Sequence, residues 1–253
     1  MFGGTGFLGR RAARRLAARG FRVRAASRHP GRAQPLFRGG ETSVTEIEAD
    51  IRDERQIVAA LVGADGAVNA VGLYIEHGND TFRSVHVEAA ARLARLCRER
   101  GLRRLIHVSG VGADPHDSSS YIRARGEGEL AVAQEFPAVT IVRPTVMFGL
   151  DDAFLTTLVR LGRILPVFPL FGRGDTRLQP ASSRMSPRQS RAWPPRWDRR
   201  ARSTSLVDHV PTPIGIFLWR SFATSASDAF SCRFRIQSGS SWQPSLSTCL
   251  EQV

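Results

Sequence analysis

The sequence predicts an α/β protein: a doubly wound parallel sheet whose first strand is truncated, followed by an irregular or disordered C-terminal tail. Three observations carry this expectation. Through residues 1–180, short apolar runs alternate with longer amphipathic stretches, the rhythm of βαβ units in which a helix returns each strand to a parallel neighbour. A glycine-rich loop at the start runs straight into the first amphipathic stretch. After Pro180 the composition changes, with 15 serines and all four tryptophans in residues 181–253 against 7 serines and no tryptophan before.

The opening reads Met1-Phe2-Gly3-Gly4-Thr5-Gly6-Phe7-Leu8-Gly9. In a G-x-x-G-x-x-G loop that enters a helix, the first glycine permits the tight turn and the second lets a pyrophosphate approach the backbone. The third allows close packing of helix on sheet. The helix start then offers unpaired N–H groups and its positive dipole end to phosphates. Gly3, Thr5, Gly6, Phe7, Leu8 and Gly9 are therefore the expected diphosphate-binding residues of a Rossmann-like domain. Only Met1 and Phe2 stand where a central strand belongs. Two residues are too few for one, so the natural gene is expected to start further upstream.

The following strands are expected at residues 22–26, 44–49, 66–71, 104–109 and 139–143. Helices are expected at 8–19, 52–61, 81–100 and 119–134, where apolar residues recur at three-to-four spacing. The second strand ends Ala26-Ser27-Arg28-His29, where an acidic residue would ordinarily hold the adenosine ribose diol. Ser27 and Arg28 suit a 2′-phosphate instead, so NADP(H) is favoured over NAD(H). Asp50, followed by Ile51, is placed to accept from the adenine amino group, and Asn69, Ala70 and Val71 end a strand beside the cofactor.

All 36 cations are arginine, against 23 acids, for a formal charge of +13. Most arginines fall on the polar sides of the expected helices and read as solvated faces. The absence of lysine points to GC-rich coding. Cys97, Cys232 and Cys249 show neither CxxC nor zinc spacing, consistent with a reducing compartment and no disulfide framework. Cys97 reads as a buried helix residue and His107 as a packed strand histidine. No apolar run approaches the roughly 18 residues of a membrane-spanning helix.

Taken together with His107-Val108-Ser109, Tyr121-Ile122-Arg123-Ala124-Arg125 and Val142-Arg143-Pro144-Thr145-Val146-Met147-Phe148-Gly149, these residues resemble the short-chain dehydrogenase/reductase superfamily in its extended or atypical branch. The F-G-G-T-G-F-L-G opening, the S-Y-I-R-A-R-G-E-G-E stretch and the segment from Phe171 to Pro180 are most similar to one group. It is the branch of the NADPH-binding accessory subunit of respiratory complex I and of bacterial NAD-dependent epimerase/dehydratase-like relatives. The resemblance covers residues 1–180. It implies an NAD(P)-binding domain over 1–150, with Pro144 beside the cofactor, and the start of a substrate lobe over 151–180. It also implies a catalytic set of Ser109, Tyr121 and the residue one helical turn beyond the tyrosine. There the family has lysine, which lowers the phenol pKa and binds the nicotinamide ribose, and this chain has Arg125. Arginine keeps the charge but is a planar fork and not a compact ammonium.

The resemblance therefore implies either an oxidoreductase or a non-catalytic, cofactor-binding accessory subunit of the respiratory or quinone system. Its implied partners are the nicotinamide dinucleotide and a quinone-related or sugar-nucleotide-like substrate. The implied location is cytoplasmic, with peripheral attachment to a respiratory complex or to the inner face of the membrane.

Residues 181–253 depart from the family. Regrouping the codons of Ser183 to Arg188 one base upstream, with G at third positions, yields Val-Glu-Asp-Val-Ala-Glu, the V-x-D-V-A pattern the family carries there. The tail is thus expected to be frame-shifted, with the apolar run 214–219 as an exposed sticky segment. The alternatives are a genuine basic Arg/Trp tail that binds nucleic acid and a non-functional truncated gene product. The scattered arginines of the tail have no motif spacing, and no nucleic acid is expected.

Overall fold

The structure is a computed structural model that describes residues 1–30, 43–145, 147–148, 156–157, 177–178, 181–182, 202–206 and 212–213. Every strand and helix expected before residue 145 is present, and all but the helix expected at 81–100 lie within two residues of their expected bounds. They are α1 (Phe7–Ala17), β1 (Val23–Ser27), β2 (Val44–Glu48), α2 (Glu54–Leu61), β3 (Gly66–Asn69), α3 (Ala89–Glu99), β4 (Arg104–Val108), α4 (Ser120–Glu135) and β5 (Thr140–Pro144). Helix α2 starts two residues later than its periodicity suggests because Asp53 caps it. The Asp53 carboxylate accepts from the backbone N–H groups of Arg55 and Gln56 at 2.9 and 3.2 Å.

The strands pair in parallel: β1 with β2, β3 with β4 and β4 with β5. The stub Met1–Phe2 occupies the central position. Phe2 bridges to Ala26 on one side and Asn69 on the other. Its N–H donates to the Val68 carbonyl and its carbonyl accepts from Ala70, both at 2.9 Å. The sheet order is thus β2, β1, Phe2, β3, β4, β5. Both edges of that short backbone are paired.

Beyond β5, β6 (Met147–Phe148) pairs in parallel with β8 (Ala181–Ser182), and β9 (Arg202–Leu206) extends the main sheet beside β5. Part of the tail thus supplies a strand to this sheet. The chain divides into two compact units, Met1–Gly149 with Ala181–Asp208, and Leu150–Pro180 with His209–Val253. In the second unit, β7 (Arg177–Leu178) and β10 (Thr212–Pro213) pair antiparallel. The stretch 183–188, where a frame shift is expected, the apolar run 214–219 and the segment 171–176 lie outside the described residues.

Side-chain alternation divides the sheet's core into two clusters. Ala26, Ala67, Leu105 and Ile141 join a cluster with Ile57 of α2 and Leu93 of α3. Val68, Ile106 and Val142 form the other cluster, with Met1 packed against it. Cys97 of α3 is fully buried, and its thiol is pushed up to about 12 by burial, so it is a packing residue.

One predicted helix is split. Residues 81–100 begin with a π-helical turn, Arg83–Glu88, before α3 takes over. Against that wide turn lies Gly128 of α4, where a Cβ would stand 2.1 Å from the His86 carbonyl oxygen. A glycine in mid-helix costs about 1 kcal/mol relative to alanine, and here it permits α4 to approach the π-turn. Next to it, Glu129 is buried and holds Arg143 of β5 through a paired contact, Arg143 Nε to Oε1 at 2.9 Å and Nη2 to Oε2 at 2.5 Å.

Helix propensity alone predicts that Gly128→Ala stabilises the protein, whereas the close approach predicts the reverse. We expect a lower denaturant midpoint with unchanged slope, a loss of about 1–3 kcal/mol as for other overpacked sites. A stabilised variant would contradict this packing.

Candidate functional site

The C-terminal ends of the parallel strands converge on the glycine loop. Gly3 has φ of +71°, a left-handed conformation that favours glycine, and its N–H donates to the Ala26 carbonyl at 3.1 Å. The Gly6 N–H returns to the Gly3 carbonyl at 3.0 Å, closing the turn. Gly6 is exposed and serves as N-cap of α1 with no side-chain cap, which leaves first-turn N–H groups directed out of the helix. Thr5, Phe7 and Leu8 flank this tip. Gly9 is where α1 closes on the turn that leaves Phe2. A Cβ there would lie 2.0 Å from the Gly3 carbonyl oxygen, so it packs on the glycine loop itself. Gly4 is pressed against strand β1, where a Cβ would stand 2.8 Å from Ala25.

Ser27 and Arg28 close β1, and the Ser27 hydroxyl oxygen is buried with no hydrogen-bond partner. Arg28 Nη1 donates to Asp80 Oδ2 at 2.8 Å. Asp50, beyond β2, is clasped by its neighbour. Asp50 Oδ1 accepts the Arg52 backbone N–H at 2.9 Å, and Oδ2 accepts Arg52 Nη2 at 2.6 Å. Hydrogen bonding from Arg52 holds the Asp50 carboxyl below the usual carboxylate range, and hydrogen bonding from Arg28 does the same for Asp80. Ile51 is buried beside Asp50.

At the other end of the site, Asn69 is buried. Its Oδ1 accepts from Val71 N–H and its Nδ2 meets His107 Nδ1, both at 3.2 Å. Burial, with His86 and Arg125 nearby, drives His107 down to about 3, so it is neutral and structural, as its strand position suggests. Ala70 is tied to Phe2 and Pro144 ends β5, where its carbonyl accepts from Val111 at 3.0 Å. The Ser109 backbone N–H is held by Val142 at 2.8 Å, while its hydroxyl oxygen is buried without a partner.

Tyr121 sits in an aromatic cluster. Tyr74 stacks on it at 5.9 Å between ring centroids, and Phe82 and His86 meet it edge-on at 5.3 and 5.9 Å. His86 also holds the preceding loop through Nε2 and the Leu73 carbonyl at 3.0 Å. Arg125 lies over the Tyr121 ring, with the guanidinium carbon 4.9 Å from the centroid. Its head fills space left by Gly110, where a Cβ would be 2.8 Å from Nη1, so it stands beside the residue after Ser109. Arg125 Nε is buried without a hydrogen-bond partner. Burial pushes the Tyr121 phenol above its ordinary value. The charge of Arg125 and a hydrogen bond from it oppose this without overcoming it, and Tyr74 adds to the rise.

The structure thus gathers the predicted residues into two clusters at the ends of one loop. It adds Tyr74, Phe82, His86, Arg52 and Asp80. The Phe82–His86 pair shares a helical face and was legible as such, whereas Asp80 left no pattern to read. The orphaned hydroxyls of Ser27 and Ser109, the exposed Gly6 and the uncapped α1 terminus fit a dinucleotide with hydrogen-bond needs at both ends.

The comparisons agree. The mitochondrial 40 kDa subunit of NADH-ubiquinone oxidoreductase from Neurospora crassa is 35% identical over 166 residues, 65% of this chain and 44% of that protein. A ceramide reductase from Caulobacter vibrioides is 31% identical over 171 residues, 68% of this chain and 53% of that one. The chain therefore spans about half the length of these curated relatives. The Bordetella bronchiseptica enzyme WbmH, solved in complex with NAD+, shares the fold with a TM-score of 0.72 at 13% identity, over 94% of this chain and 83% of that one. A family model described as NAD(P)H-binding matches residues 3–161, and the chain belongs to that NAD(P)H-binding family.

Proposed function

We propose that this protein binds NADP(H) in preference to NAD(H) and serves as a cofactor-holding subunit of the respiratory type, with little hydride-transfer turnover at neutral pH. The diphosphate rests on the Gly3–Gly9 loop, the 2′-phosphate on Ser27 and Arg28, and the adenine against Asp50 and Ile51. Asn69, Ala70 and Pro144 face the nicotinamide half. When bound, the nicotinamide supplies hydride chemistry, and the protein must then supply a proton donor or acceptor. The observation that carries the non-catalytic reading is the place of Arg125 over the face of the Tyr121 ring, in a setting that raises the phenol. A general base working near neutral pH needs the opposite shift.

The second reading is an oxidoreductase acting on a carbonyl, quinone-related or sugar-nucleotide-like. It is favoured by the unpartnered Ser109 hydroxyl on the strand that ends beside Arg125, and by the reductase among the relatives. Among the described residues, no helix is long and apolar enough to cross a membrane. Attachment as a peripheral subunit at the cytoplasmic, inner face of a membrane belongs to the first reading.

Binding is measured by the fluorescence of NADPH and NADH titrated with protein. Gly6→Asp places a carboxylate at the exposed loop tip and should weaken NADPH by at least about tenfold, the scale of one charged contact, while the melting temperature stays near that of the wild type. Equal binding by the variant removes the loop from the site.

The chain has two tyrosines, so Tyr74→Phe isolates Tyr121 in an absorbance titration at alkaline pH. Its phenolate should appear above the ordinary value of about 10. Ionisation well below that value would restore Tyr121 as a base and favour the oxidoreductase.

A further inference from the structure

The adenine end of the site carries more charge chemistry than the Ser27–Arg28 pair accounts for. Arg28 leaves β1 and Arg52 follows β2, two strands paired in register through Ser27 and Glu48. Both guanidiniums converge on one carboxylate: Arg28 Nη1 on Asp80 Oδ2 at 2.8 Å, and Arg52 Nη1 on Asp80 Oδ1. Asp80 comes from beyond β3. Its backbone is fixed by reciprocal hydrogen bonds with His77, each 3.0 Å, so the carboxylate is presented by a closed turn. Arg52 is in turn aimed by Asp50, which grips it through both Nε and Nη2. The Ser27 hydroxyl oxygen, buried and without a partner, lies at the start of the same cluster.

This is the arrangement of an anion site in which the protein supplies its own anion. Two fork-shaped donors held from two strands suit a phosphate dianion better than a single carboxylate, because each fork can give two parallel hydrogen bonds. With Asp50 and Asp80 both ionised, the two arginines are already neutralised. A 2′-phosphate therefore competes with Asp80 for the two guanidiniums. The ribose hydroxyl of NAD(H) faces no such exchange.

We propose that Arg52 is a second ligand of the 2′-phosphate and that Asp80 is an internal competitor for it, limiting the preference for NADP(H) over NAD(H). The inference rests on the dinucleotide reading of the site and adds two residues that determine its selectivity. Asp80 positions the arginines when no phosphate is bound and opposes the phosphate when one arrives. The two arginines act together, so neither alone sets the preference.

The test uses the full chain and calorimetric titration with 2′,5′-ADP and with 5′-AMP, which differ only in the 2′-phosphate. Asp80→Asn keeps the shape of the turn and removes the charge. It should tighten 2′,5′-ADP by about tenfold and leave 5′-AMP within about twofold. Arg52→Gln should weaken 2′,5′-ADP by about tenfold, again with 5′-AMP little changed. Asp80→Ser gives a second neutral variant should Asn disturb the turn, and thermal melts check that each variant is folded. An unchanged ratio of the two ligands in both Asp80 variants, or in Arg52→Gln, overturns the inference while leaving the dinucleotide site intact. Loss of 5′-AMP binding in both Asp80 variants overturns it too, because Asp80 would then be a ribose ligand. If the wild type binds neither nucleotide, the reading of the site fails and takes this inference with it.

Discussion

The sheet depends on two residues. Without the backbone of Phe2 the parallel strands fall into separate groups, β1 with β2 and β3 with β4, β5 and β9. Phe2 joins them by donating to Val68 and accepting from Ala70, while Met1 accepts from Ala26 and Gly3 donates to it. These bonds fix the glycine loop between the strand ends that carry Ser27 and Arg28 on one side and Asn69 and Ala70 on the other. The Phe2 side chain is buried in the main core cluster, so apolar packing and backbone pairing reinforce one another at the same residue. The distance between the two groups of strand ends is therefore set by the pairing of Phe2.

The second dependence is the approach of α4 to the π-turn. Gly128 lets the helix reach the His86 carbonyl, and the same approach brings Tyr121 into its aromatic cage and lays Arg125 across its ring. Two effects then compete at the phenol. Burial raises its pKa and the guanidinium lowers it, and burial is the larger. A lysine ammonium is compact and can be directed at a single oxygen, whereas the guanidinium spreads its charge over a plane and favours a ring face. The replacement thus keeps the charge and changes its shape, and the burial of the ring outweighs the lowering that Arg125 supplies.

Beyond the ends of β1 and β2 the electrostatics are balanced in pairs. Arg28 and Arg52 face Asp50 and Asp80, all partly exposed, so each isolated ion pair contributes little to stability. Their importance lies in position. Charges held by neighbours cost less to organise around a ligand than charges that must first be ordered. The basic excess of the chain is not concentrated here, because many arginines lie on helix faces, such as Arg95 of α3 paired with Glu54 and Glu99.

Much of the fold was legible because the signals are local. Strand runs, helical spacing and the glycine loop are written in neighbouring residues, and the expected elements match the observed ones to within a turn. The places of Tyr121 and Arg125 on α4, and of Ser109, Arg28 and Asp50 just beyond strand ends, were also legible. Residues that meet across long separations were not legible. Arg28 and Asp80 lie 52 positions apart, and Asn69 and His107 lie 38 apart. The close contacts of Gly9 with Gly3 and of Gly128 with His86 depend on how loops and helices approach one another, and the pairing of β9 with β5 depends on the path of the chain between them. The sequence alone determined which segments form strands and helices and which residue types stand at their ends, because backbone geometry ties those choices to residue spacing. Only the tertiary structure decided which charges face one another and on which side of Tyr121 the arginine lies, because those outcomes follow from packing between elements that the local pattern does not encode.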